Sequence, residues 1–316
     1  MISFKKKSTK KVLRIIIVLL LIITVFSFFL TKFIYDATFP RQSGSDLRID
    51  ESLVDLVETR QPMDFASGKN RLRGYYYEAP QAQALVVVAP GYAADDDEFL
   101  WHIHSFLEQG WSVFSFDCTG HYDSEGDSSV GFSQQLLDLD AALDYIESQD
   151  RFGCEALMLF GHSRGGYAVC GVLEEHPEVT AVVSISAVNR AMDAVMEPAT
   201  RYMGSLAYGN YPMLWFYQAI LFGTDVLNVE AVHAINHADV PVLIVHGSTD
   251  DTVSPDKTAI IAHREEITSN RVEYFICDQP GQSGHTDLLF DHDGTENDVL
   301  MTKINDFYQR SIKTRG

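Results

Sequence analysis

An apolar run, Ala156–Phe160, passes directly into Gly161-His162-Ser163-Arg164-Gly165-Gly166, and a helical pattern follows at once. Few features constrain a chain more. A strand that turns into a helix this abruptly leaves no room for side chains flanking the turn, so glycine is required at 161 and 165. The same tightness lifts the Ser163 hydroxyl above the end of its strand and sets a helix N-terminus beneath it. Elsewhere in a sequence, Gly-x-Ser-x-Gly is a common accident. Between a strand and a helix it is specific.

The strand–helix alternation recurs along the chain. Strand-like segments fall at Arg71–Glu78, Ala84–Ala89, Ser112–Asp117, Ala181–Ser186, Val242–His246 and Val272–Cys277. Helical patterns lie at Asp97–Gln109, Ser133–Ser148, Gly165–Glu175, Pro255–Glu266 and Asn297–Ile312. Short, nearly continuous apolar strands between helices predict an α/β fold: a mostly parallel central sheet with helices on both faces. Ligands of such sheets lie beyond the carboxyl ends of the strands. The alternation fails at about 188–238, where seven aromatics fall in the 21 residues Tyr202–Phe222 against a chain average of 11%. This stretch predicts a helical cap insertion over the sheet's carboxyl edge. Its rings can line a substrate pocket (Tyr202, Tyr211 and Trp215 are the candidates), pack on the sheet edge, or face a bilayer.

The 17 residues Ile15–Thr31 carry no charge. At ~1.5 Å per residue they cover most of the ~30 Å hydrocarbon core of a membrane. Six basic residues precede the run and Lys32 follows it. A transmembrane signal anchor over 12–35 is therefore expected, with residues 1–11 as a basic cytoplasmic tail and the globular body on the extracytoplasmic side of the cell membrane. A cleaved signal peptide is the rival, but no Ala-x-Ala-like site follows the run. No cysteine follows it either, which excludes lipoprotein processing. Residues 36–60 read as a polar linker ending in a short amphipathic helix, and 61–316 as the globular domain with its cap. Cys118, Cys154, Cys170 and Cys277 would face an oxidising compartment. Three pairings are open to them, and all four also suit small buried hydrophobes.

Seven of the 24 Lys and Arg precede Asp36, which leaves 44 acidic against 17 basic residues in the body. So acidic a body repels phosphate backbones, and no nucleic-acid partner is expected. Neither a dinucleotide fingerprint nor a P-loop occurs.

A serine nucleophile needs a base, and the base needs an orienting acid. Behind a turn of this kind, the acid and then the histidine follow the serine in chain order. The turn after Val242–His246 offers Asp250, with Asp251 as its rival and an Asx turn as the other use for its carboxylate. The glycine-rich loop after the last strand offers His285, with His292 as rival. An oxyanion needs two backbone N–H donors. Arg164, next after the serine, supplies one; Tyr92, in Pro90-Gly91-Tyr92 after Ala84–Ala89, is the candidate for the other. His233 and His237 are four apart but lack H-E-x-x-H and read as a surface pair. Asp95-Asp96-Asp97-Glu98 reads as a favourable helix start. No metal or organic cofactor is expected.

From about Met63 to Ile312 the chain resembles the serine hydrolases of the α/β-hydrolase superfamily. The likeness lies in GHSRGG, in PVLIVHGSTDDTVSP (similar to H-G-x-x-D-x-x-V-P), in Gly284-His285 and in Phe116–Gly126. That last segment usually reads D-x-x-G-x-G-x-S-x-G, and Tyr122 replaces its middle glycine. Pro90-Gly91 likewise stands where the family commonly has His-Gly. The resemblance implies the α/β-hydrolase fold and an esterase- or lipase-like enzyme acting on a small-molecule or lipid-like ester, with Ser163, His285 and Asp250 as its triad. Peptidase, thioesterase and acyltransferase chemistry on the same fold are alternatives, as is a binding module without catalysis.

Overall fold

The computed structural model describes residues 3–43, 50–153 and 155–315. Helix α1, Ser3–Thr38, runs unbroken through the apolar segment. Its portion Thr9–Thr38 is long and apolar enough to cross a membrane, and its most apolar window is unburied. The chain does not then become a free linker. Tyr35 and Phe39 are buried, and the Gln42 N–H donates to the Gly120 carbonyl at 2.8 Å. The start of the segment read as a linker is thus docked on the body.

Helix α2, Val54–Thr59, leads into a hairpin of β1, Gln61–Ser67, and β2, Asn70–Tyr77. The sequence reading missed β1, because its alternation is carried by few apolar residues and Pro62 argues against a central strand. At the sheet edge, proline is tolerated. The remaining strands are β3 (Ala84–Ala89), β4 (Ser112–Phe116), β5 (Ala156–His162), β6 (Val179–Ile185), β7 (Val242–Gly247) and β8 (Val272–Cys277). All eight form one sheet in the order β1-β2-β4-β3-β5-β6-β7-β8, antiparallel at β1, β2 and β4 and parallel from β4 to β8.

Alternate side chains of each strand enter opposite cores, as the pleat requires. On one face Val86, Val88 and Phe160 meet Ile103 and Phe106 of α3 (Leu100–Glu108) and Ile304 and Tyr308 of α10 (Asp298–Arg315). Leu85, Val87 and Leu159 meet Leu139 of α4 (Gln134–Glu147), Val169 of α5 (Arg164–Gly171) and Ile235 of α9 (Ala231–His237) on the other. The Tyr308 hydroxyl donates to the Leu159 carbonyl at 2.6 Å, which pins α10 to β5.

The expected helix at Pro255–Glu266 does not form; the segment has turns and a short 3₁₀ piece, Ile260–His263. The N–H groups of Lys257, Thr258 and Ala259 all turn to the Ser254 carbonyl, while that of Ile260 donates to Ala187. Tertiary partners here outcompete the helical pattern. The cap comprises α6 (Ala191–Met203), the 3₁₀ stretch Gly204–Asn210, α7 (Tyr211–Phe222), α8 (Thr224–Leu227) and α9. It shares a third apolar cluster with the end of α1, in which Tyr35 and Phe39 pack with Met192, Leu214 and Tyr217. Cys118, Cys170 and Cys277 are free and buried; Cys154 lies outside the described residues.

Candidate active site

The turn from β5 to α5 puts Ser163 at φ 55° and ψ −114°, a sparsely populated region for an L-residue. A Cβ at Gly161 would collide with the Gly165 carbonyl, and one at Gly165 with the Ala89 carbonyl. Both flanking glycines are therefore needed for close approach. The Ser163 N–H holds the strained residue by donating to the Ile185 carbonyl at 2.8 Å.

Two loops bring the other candidates to the same strand ends. His285 Nε2 lies 2.9 Å from Ser163 Oγ, and its Nδ1 lies 2.8 Å from Asp250 Oδ2. Asp250 uses its two oxygens differently. Oδ1 accepts the N–H groups of Thr252 (2.9 Å) and Val253 (2.8 Å), which is the Asx turn, while Oδ2 faces His285 and, at 3.1 Å, His246. Burial works against its charge, but the hydrogen bonds from His246 and His285 prevail and hold the carboxyl well below the usual carboxylate range. The rivals Asp251 and His292 are solvent-exposed and take no part.

Gly91 lies against His162 and the Ser163 Cβ, so the loop after β3 borders Ser163. Neither the Tyr92 nor the Arg164 N–H is spent on a protein acceptor among the described residues. Three residues to which the sequence reading gave no role fix this arrangement. Buried His162 donates from Nε2 to the His285 carbonyl at 2.8 Å, and burial, then the neighbouring His285, pulls its pKa down to about 3. Burial and then the Arg164 charge likewise pull His121 to about 3. Neutral, it donates from Nδ1 to Thr119 (3.0 Å) and accepts the Ala93 N–H at Nε2 (3.3 Å). Tyr122 adopts φ 38°, keeping the left-handed backbone of the glycine it replaces. Its hydroxyl donates to the Ala93 carbonyl at 2.6 Å. The departure from the family pattern is thus put to use in clamping the loop that carries Tyr92.

A cavity of about 680 Å³ opens over Ser163 and His285, within the usual range for small-molecule sites. Its walls are mostly apolar: Val195, Pro198, Ala199 and Tyr202 of α6, Phe99, and Ile34 and Phe39 at the end of α1. Of the three cap aromatics expected there, Tyr202 lines the cavity and Tyr211 and Trp215 do not. The cap presents α6 to the site, while α7 turns its rings toward α1.

Outside the cavity, Arg60 pairs with Asp96 (2.6 Å) and Asp97 (2.5 Å), while Asp95 Oδ1 accepts the Glu98 N–H at 3.1 Å at the helix start. Beside them, burial and then the Asp96 charge push buried Asp117 up to about 8. The expected surface pair His233 and His237 is exposed and meets a third potential ligand, Glu174, with donor atoms within 4.8 Å of one another. That group lines no part of the cavity.

Comparison with known proteins agrees with this architecture. The family described as serine aminopeptidase, S33, matches residues 80–234. The lysophosphatidylserine lipase ABHD12 of Danio rerio is 27% identical over 171 residues, 52% of this chain and 43% of that protein, so the match spans less than half of the relative. Among solved structures, the Pyrococcus furiosus esterase Pf2001 superposes with TM-score 0.64 at 16% identity over 86% of this chain and 97% of its own. Est1E of Butyrivibrio proteoclasticus, with ferulic acid bound, gives 0.58 at 18% over 79% and 99%. A bacterial membrane phospholipase A gives 0.56 at 14% over 96% and 99%. At such identities the likeness to the solved structures is one of fold. Taken with the family match to residues 80–234, it gives this chain the α/β-hydrolase fold.

Proposed function

We propose that the chain is a serine hydrolase that cleaves carboxylic esters through an acyl-enzyme, tethered by α1 to the outer face of the membrane. The observation that carries the reading is the continuous relay from Ser163 Oγ to His285 Nε2 (2.9 Å) and from His285 Nδ1 to Asp250 Oδ2 (2.8 Å) at the floor of an apolar cavity. His285 Nε2 takes the Ser163 proton as Oγ attacks the ester carbonyl carbon, and the C=O electron pair moves onto oxygen. The N–H groups of Tyr92 and Arg164 receive that oxyanion. When the carbonyl re-forms, the alcohol leaves with the proton from His285. Water then attacks the acyl group and gives a proton to His285, and as the acid leaves, His285 passes that proton to Ser163 Oγ, restoring the hydroxyl. Ionised Asp250 holds the imidazole in position and stabilises its charged form. The membrane orientation rests on the six basic residues that precede the apolar run.

The S33 description favours an aminopeptidase as the second reading. Such an enzyme must bind an α-ammonium group. Among the described residues lining the cavity the sole carboxylate is Glu98, which burial and then Asp95 push up to about 7, a poor anchor for a cation. The test compares p-nitrophenyl esters with aminoacyl p-nitroanilides, using the full-length protein and Ser163→Ala. Ester hydrolysis lost in the variant is the expected result. Faster anilide cleavage would favour the peptidase, and a folded protein that neither turns over esters nor reacts with a fluorophosphonate would refute a catalytic Ser163.

A further inference from the structure

Helix α1 does more than hold the body near a membrane. Its last turn forms part of the cavity wall, where Ile34, Thr38 and Phe39 stand with Ser163 and His285. The Tyr92 hydroxyl donates to the Thr38 carbonyl at 3.0 Å, joining the same turn to the loop beside the nucleophile.

The cap is also fastened to α1 inside the apolar run. Ser27 Oγ donates to Asn210 Oδ1 at 2.9 Å, Asn210 Nδ2 donates to Thr31 Oγ1 at 2.8 Å, and Phe28 meets the rings of Phe216 and Tyr217. If α1 spans the bilayer, cap residues bonded to positions 27–31 stand at the depth of its outer edge. From Ser27 to Thr38 the helix rises only ~16 Å. The cap's composition suits that depth, since the 21 residues Tyr202–Phe222 contain no Asp, Glu, Lys, Arg or His. Tyr202 (88% exposed), Leu206 (77%), Met203, Tyr208, Phe216 and Ile220 turn large apolar groups outward. An amphipathic surface of this kind lies several ångströms into the headgroup and acyl boundary.

We propose that this cap face is immersed in the outer leaflet and that the cavity takes the acyl chain of a membrane-resident lipid ester, which enters from the bilayer alongside α1. The inference rests on the serine-hydrolase reading above and names its substrate class. Tyr202 belongs to both surfaces, lining the cavity and facing outward, so the leaflet and the site adjoin there.

The experiment uses the full chain in phosphatidylcholine vesicles, with p-nitrophenyl palmitate in the bilayer and p-nitrophenyl butyrate in solution. Ile34→Trp narrows the cavity at the α1 wall, and the palmitate-to-butyrate ratio of kcat/KM should fall about tenfold. An unchanged ratio would overturn the role of α1 as a wall. Loss of both activities in Ser163→Ala, with the ratio unchanged in Ile34→Trp, would refute this inference while leaving the hydrolase reading intact; butyrate hydrolysis that survives Ser163→Ala would refute the reading beneath it. Immersion is measured separately, by attaching an environment-sensitive fluorophore at Leu206→Cys, with labelled wild type as background. Quenching by a spin-labelled phospholipid and protection from aqueous iodide are expected. Quenching by iodide alone would place the face in water, and protection from both quenchers would assign it to another protein or a second copy; either outcome refutes immersion.

Discussion

The backbone at Ser163 offers a direct measurement of what the reactive turn costs. At φ 55° and ψ −114° the residue sits where an L-side chain is strained, by about 1–3 kcal/mol. Ser163→Ala and Ser163→Gly both remove the hydroxyl, so both lose the 2.9 Å hydrogen bond to His285. They differ in the Cβ. Alanine keeps the strain and glycine relieves it, at a cost of about 0.5–1 kcal/mol from the freer unfolded chain. The Ser163 side chain lines the cavity, so little packing is lost with the Cβ. The balance is about 1 kcal/mol in favour of glycine, which for a chain of this length corresponds to a melting temperature about 1–2 °C above that of the alanine variant. Thermal unfolding of the two full-length variants in the same detergent reads this difference, and a fluorophosphonate probe checks that neither reacts. If alanine proves equal or more stable, the turn is not strained in the way its dihedral angles imply.

Three further outcomes follow from the site. Asp250→Asn leaves the turn in place but removes the charge opposite His285, so kcat for esters should fall by about 10³–10⁴; a loss below tenfold would mean that His285 is oriented by other groups. Tyr122→Phe and Tyr122→Gly both delete the hydroxyl bond to Ala93, and each should lower kcat about tenfold through a displaced Tyr92 N–H; full activity in the glycine variant would show that the clamp is dispensable. Asp117 keeps its proton in the folded state up to about pH 8, whereas an unfolded carboxyl releases it near pH 4. The resulting penalty is nil below pH 4, grows as pH rises and is complete above pH 8, so Asp117→Asn should gain stability on wild type across that window, by on the order of a few kcal/mol at its upper end. Melting curves at pH 5 and pH 9 that show the same difference would contradict this.

The elements that were legible in the sequence are those whose requirements are local. The strand–turn–helix around Ser163 follows from two glycines and an apolar run, and the loops carrying Asp250 and His285 are marked by glycines at strand ends. What was not legible depends on partners distant in the chain. Pro255–Glu266 has a helical pattern, yet its N–H groups are drawn to Ser254 and Ala187. The aromatics of α7 could have lined a pocket or packed elsewhere; the wall is made by side chains of α6, because the α7 rings had α1 to pack on. His121 and His162 are ordinary by position, and only the folded loops reveal which carbonyl each one holds. The docking of residues 35–42 was equally hidden, since Phe39 and Gln42 find their partners more than 50 positions away, at Tyr92 and Gly120.

The hydrogen bond from Tyr308 to Leu159 has a consequence for how the protein is made. Of the described elements, synthesis delivers α1 first, before any strand exists. Strand β5 must then wait for β6 on one side and for α10, the last helix of all, to cover one of its faces. His285 also arrives late, 122 positions after Ser163, to which it is hydrogen-bonded. A ribosome-bound fragment therefore exposes α1 long before Ser163, Asp250 and His285 are all present. The three side chains can meet only once almost the whole of the described sequence has emerged.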